Sequence, residues 1–265
     1  MIFLLYQAFV VGMVMTASSV GQPLPEDGMV LIPAGEFLMG SMEKDGLVGQ
    51  SIGVDEIPQQ PVYLKIFYID RYEVTNRQYK AFVDATGHTV PADKHTGVYS
   101  WKGNLPPEGT EDIPITNISW DDADAYCRWG GKRLPTEAEW EKAARGTDSR
   151  QWPWGNDLRE HACNTRYTGF GKILPPGSVP DDISPFGVYD LCGNVSEWTS
   201  SWYLPYPGST LKRESFGETY KVARGGSFVM PAMPYSRAAY RANTYKPDYR
   251  HRGIGFRCAR DDGAH

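Results

Sequence analysis

The chain has 265 residues, 41% hydrophobic and 22% charged, the makeup of a folded protein rather than a disordered one. Its formal net charge of −5 excludes nucleic-acid or anionic-membrane binding driven by bulk electrostatics. With 28 glycines, 20 prolines, 16 tyrosines, 10 phenylalanines and 8 tryptophans, the composition suits a loop-rich fold pinned by buried rings.

Residues 1–21 read as a signal peptide or N-terminal anchor. Ile2 to Met15 is nearly continuous apolar sequence, followed by the small residues of Thr16-Ala17-Ser18-Ser19-Val20. The run falls short of the roughly 20 residues a span needs, and no Lys or Arg precedes it. Export to a periplasmic or extracellular location is the expectation, with anchoring by residues 2–20 as the alternative. Residues 22–28 form a linker, 29–260 a single domain and 261–265 a tail.

Met29 to Gly40 reads as a strand, a turn and a second strand. The polar residues 41–60 read as a surface loop, and Pro61 to Asp70 as one further strand. Three helices announce themselves by their caps. Thr75 with Gln78 opens one that Gly87 stops. Ser119, with Asp121 and Asp122 in the first turn, opens one that ends at Gly130-Gly131. Thr136 with Glu139 opens a third, with Trp140, Ala143 and Ala144 inward, ending before Gly146. Beyond residue 147 the pattern is of short strands and turns. This is an α+β class fold with little regular structure for its length.

Three stretches carry a family resemblance: Gly131-Lys132-Arg133-Leu134-Pro135-Thr136-Glu137, Gly193-Asn194-Val195-Ser196-Glu197-Trp198, and Arg224-Gly225-Gly226-Ser227-Phe228 with the closing Gly253-Ile254-Gly255-Phe256-Arg257-Cys258. Over roughly residues 28–260 the chain resembles the sulfatase-modifying-factor (formylglycine-generating enzyme) family. The resemblance implies a single C-type-lectin-like domain of low secondary-structure content. Active members oxidise a sulfatase cysteine with dioxygen and copper, and two cysteines hold the metal. Here those positions fall on Met230 and Tyr235, while the neighbouring serine is kept as Ser227 and a groove tryptophan is replaced by Ser196. A thioether and a phenol do not reproduce two thiolates, the soft donors that select monovalent copper. Copper is therefore not expected, although Met230-Pro231-Ala232-Met233 sets two thioethers, Met230 and Met233, at the place where it would sit.

The same resemblance implies structural calcium, with one site mapping onto Asp190, Leu191, Gly193 and Val195 and another onto Asn164, Thr165 and Phe170. In the second, Thr168 stands where the family has an aspartate. It also implies a disulfide between Cys127 and Cys258, closing a loop of about 130 residues for a stabilisation on the order of 4 kcal/mol. Cys163 and Cys192 either pair or remain buried thiols. The segment containing Arg237, Tyr240, Arg241, Tyr245, Tyr249, Arg250 and Arg252 has the side-chain types of binding hot spots. It reads either as a surface for a protein or peptide partner or as structural Arg–carboxylate pairs among half-buried tyrosines. The expected function is a non-catalytic binding, accessory-subunit or maturation role. The alternative is an oxidoreductase of the same family with a non-cysteine site lined by Ser227, Met230, Tyr235 and Ser196.

Overall fold

The computed structural model describes residues 28–42, 53–91, 97, 99–168, 170–231, 235–241 and 243–263. The leader, most of the linker, Met233 and the end of the tail lie outside the described residues. Strands β1 (Met29–Ile32) and β2 (Gly35–Met39) are separated by a two-residue break but join different sheets. The stretch read as one strand is two, β3 (Gln60–Leu64) and β4 (Phe67–Asp70). Their break lets β3 pair with β2 while β4 pairs with β1, both antiparallel. The supposed surface loop is also corrected. It holds a short helical turn, Val54–Glu56, with Asp55 and Glu56 buried at 2% and 0% exposure.

Helices α1 (Asn76–Thr86), α2 (Trp120–Trp129) and α3 (Glu137–Arg145) follow. Each has a reciprocal capping box, from Thr75 and Thr136 as the sequence announced and from Ser119 with Asp122 as a third. Such a cap satisfies helix N–H groups that would otherwise lack partners, worth about 1 kcal/mol. A four-stranded sheet has the order β7 (Asn243–Tyr245), β6 (Lys221–Arg224), β5 (Ser196–Trp202), β8 (Ile254–Gly255). The last strand, β9 (Ala259–Asp261), completes a three-stranded sheet in the order β1-β4-β9.

The largest apolar cluster packs α1 and α2 on β5 and β8 through Tyr79, Phe82, Trp198, Ile254 and Phe256. A second sets Trp140, Ala143 and Ala144 of α3 against Val30, Ile32, Phe67 and Ile69. The Cys127–Cys258 disulfide forms, with Cα atoms 5.7 Å apart, and ties α2 to the chain just before β9. Among the described residues no helix is long and apolar enough to cross a membrane.

Candidate functional site

The site begins where β6 ends. Gly225 adopts φ +78°, and a Cβ on Gly226 would lie 2.4 Å from the Cys192 carbonyl oxygen, so both positions demand glycine. The Gly226 N–H donates to that same carbonyl at 3.0 Å. The chain then turns, with Met230 N–H donating to the Ser227 carbonyl (2.9 Å). Two neighbouring loops hold the turn: Phe228 N–H donates to Asn194 and Arg166 N–H to Met230, each at 2.9 Å. Ser227 is 1% exposed.

Ser196, at the start of β5, donates its hydroxyl to the carbonyls of Gly225 and Gly226 (3.1 and 3.2 Å) and stands 3.7 Å from the Met230 sulfur. The small side chain thus braces the turn from the place the groove tryptophan would fill. Tyr235 instead sets its ring edge-on against Tyr240, 5.5 Å between centroids. All four cysteines are consumed, because Cys163 and Cys192 also pair, with Cα atoms 5.8 Å apart, and no free thiol remains.

Behind the turn lies a nest of buried acids. Asp190 (φ +60°) accepts from Gly177 N–H at 2.6 Å. Asp182 accepts from the N–H groups of Cys192 and Gly193. Glu73 accepts from the Asn194 amide at 2.9 Å and from Val195 N–H at 3.3 Å. Glu197 is bound bidentately by Arg257 at 2.6 and 2.7 Å. Burial, with Glu197 adding repulsion, pushes the Asp190 carboxyl up to about 6. Burial and then the charge of Asp190 raise Glu73 and Asp182 well above the usual carboxylate range. Arg257 is the guanidinium facing these four carboxylates. The carbonyl oxygens of Leu191, Gly193 and Val195 accept no hydrogen bond from any described residue. A carboxylate and backbone carbonyls are the donor types that a hard divalent cation takes.

The second mapped site fits poorly. Thr168 turns back on its own loop: its hydroxyl donates to the Thr165 carbonyl (2.9 Å) and accepts from Thr165 N–H (2.8 Å). The carbonyl the resemblance assigned to an ion is thereby occupied. Asn164 donates to Lys172 and Asn194, leaving its buried Oδ1 without a partner, and Phe170 is 38% exposed. No carboxylate replaces the lost aspartate in that mapped set.

The Tyr/Arg segment divides, and three of its seven residues must be withdrawn from the expected surface. Arg237, Tyr240 and Arg241 are buried at 3%, 7% and 1% exposure. Arg237 clasps Glu56 with two bonds, 2.7 and 2.8 Å, and Arg241 clasps Glu137 at 2.9 and 3.0 Å while lying over Tyr206. Arg237 is fixed in the interior because the turn at Val54–Glu56 delivers the Glu56 carboxylate to it, and Arg241 because α3 delivers Glu137. Arg250 pairs with Asp122 and Arg252 covers the Phe228 ring, both half-buried. Tyr245 and Tyr249 stack in parallel at 4.6 Å, and Tyr249 remains exposed.

A domain model described as "Sulfatase-modifying factor enzyme 1-like domain" matches residues 16–262. The chain is 35% identical to the formylglycine-generating enzyme of Thermomonospora curvata, covering 88% of this chain and 93% of that protein. It is 30% identical to the inactive C-alpha-formylglycine-generating enzyme 2 of Mus musculus, over 90% and 87% of the two chains. The solved structure of PvdO from Pseudomonas aeruginosa superposes with a TM-score of 0.73 at 29% identity, covering 88% of this chain and 94% of that one. The mixed helix-and-sheet architecture, the glycine-pinned turn and these matches agree: the chain belongs to the sulfatase-modifying factor family of formylglycine-generating enzymes and their relatives.

Proposed function

We propose that this chain is an exported, catalytically silent member of its family that binds a protein or peptide as an accessory subunit or maturation factor. One observation carries the reading. Every cysteine is committed to a disulfide, and the two positions that the resemblance gives to copper thiolates carry the thioether of Met230 and the phenol of Tyr235. Two disulfides in one domain also favour an oxidising compartment. Structural calcium at Asp190, Leu191, Gly193 and Val195 belongs to the same reading. Asp190 would hold the ion with the open carbonyls and so relieve repulsion among the buried acids. The stacked Tyr245 and Tyr249, with Arg250 and Arg252 beside them, are what remains of the Tyr/Arg segment to meet a partner.

An oxidoreductase with a non-cysteine site is the weaker reading, since Tyr235 packs on Tyr240 while Ser196 and Met230 are drawn together by the turn. The deciding experiment incubates the copper-loaded protein with a Cys-x-Pro-x-Arg peptide and follows oxygen uptake and aldehyde formation. Neither is expected, and copper-dependent turnover would overturn the proposal.

A further inference from the structure

The two disulfides sit in unlike surroundings. Cys127 and Cys258, both 0% exposed, lie inside the largest apolar cluster. Around the other pair, the sulfurs of Cys163 and Cys192 and a carboxylate oxygen of Asp182 all lie within 4.8 Å of one another. These three residues are 3%, 0% and 1% exposed. Asp182 is aimed by backbone: Cys192 N–H reaches both of its oxygens (3.0 and 3.1 Å) and Gly193 N–H one of them (3.1 Å). Trp152, 3% exposed, packs with both cysteines, and its indole N–H has no hydrogen-bond partner among the described residues. Cys163 also forms part of the wall of a cavity of about 360 Å³ that Leu158, His161 and Tyr167 help to line.

Two thiolates and a carboxylate are the ligand types of a tetrahedral, borderline-soft cation. We propose that Cys163, Cys192 and Asp182 form a redox-gated site for a thiophilic divalent cation of the zinc class. With the disulfide closed, the sulfurs are spent on each other and no such ion is held. A dithiol reductant opens it. One of its sulfurs attacks Cys163 from the cavity and forms a mixed disulfide, and Cys192 leaves as a thiolate that takes up a proton. The second thiol of the reductant then displaces Cys163. The reductant ends as a disulfide and the protein as a dithiol. The cation displaces two protons from that dithiol, binds both sulfurs and Asp182, and keeps a fourth position for water or a small ligand entering through the cavity.

The test uses the full chain, reduced with a phosphine and desalted, beside an oxidised sample. Both are titrated with Cd²⁺ while thiolate-to-metal charge-transfer absorbance is read. The reduced protein takes up one equivalent and the oxidised protein none, and excess Ca²⁺ does not compete. Asp182→Asn, which leaves the disulfide in place, weakens Cd²⁺ binding by about tenfold or more, and Cys163→Ser removes the band. No band in the reduced, folded protein overturns the assignment, as does an unchanged affinity in Asp182→Asn. Unfolding of the reduced chain, followed by circular dichroism, counts against it equally, because gating requires a folded dithiol state.

Discussion

Around α3, Asp55, Glu56, Glu137 and Glu141 are buried with Arg145, Arg224, Arg237 and Arg241, whereas behind the Ser227 turn Glu73, Asp182, Asp190 and Glu197 share Arg257. Both groups are equally dry. In the first, charge balances charge: burial pushes Glu141 up, but Arg224 and Arg145 pull it below the usual carboxylate range. Glu56 stays raised by burial even against Arg237. In the second, like charges add to burial, and Glu73, Asp182 and Asp190 are driven up together. Buried ions without counter-ions are costly enough that they protonate or recruit a cation. The balanced cluster is structural, and the unbalanced one is poised to take up positive charge.

Breaking the balance gives the largest effect. Arg224→Met leaves Glu137 and Glu141 short of a guanidinium that is 0% exposed. Removing one partner of such a pair costs about 3–5 kcal/mol, measured as a drop in the urea midpoint. An equal loss from Asp190→Asn in chelator-treated protein would erase the contrast, since that change should relieve repulsion and leave stability level or higher.

Filling the unbalanced cluster comes next. Calcium at a hundred times its Kd should add about 2.7 kcal/mol, read as a rise in Tm over a chelated sample and lost in Asp190→Asn. A calcium-insensitive Tm would remove the ion from the proposal.

The smallest effect is one of sign. Asp190 has an ordinary value of 3.8 and sits at about 6 when folded, so between those values the folded chain holds a proton that the unfolded chain has released. Its contribution therefore falls as pH rises through that window in calcium-free protein. Glu141, lowered from 4.5, does the reverse: its contribution is present above its unfolded value and lost as pH falls through the folded one. Denaturation of Arg224→Met and Asp190→Asn across this range should separate the two slopes. Parallel slopes would show that the clusters do not differ as described.

The caps at Thr75, Ser119 and Thr136 were legible because a cap is a local pattern of four residues. So were the glycines at 225 and 226. The acid nest was not, since Glu73, Asp182, Asp190 and Glu197 come from separate stretches and nothing in their spacing announces a meeting. The sequence left Arg237 and Arg241 open between a surface and structural pairs for the same reason. An arginine reads as surface until a distant carboxylate, here Glu56 or Glu137, is brought to it by the fold. The break between β3 and β4 shows only as a change of phase, the inward side chains passing from Val62 and Leu64 to Phe67 and Ile69.

Strand β4 lies between β1 and β9, the first and last strands described, so both ends of the domain run along one small sheet, two strand spacings or roughly 10 Å apart. A tether or neighbouring module fused at either end would pull on that sheet. The Cys127–Cys258 link would pass part of that load into α2, which packs on β5 and β8. Force applied at either end would therefore reach the sheet that carries the Ser227 turn.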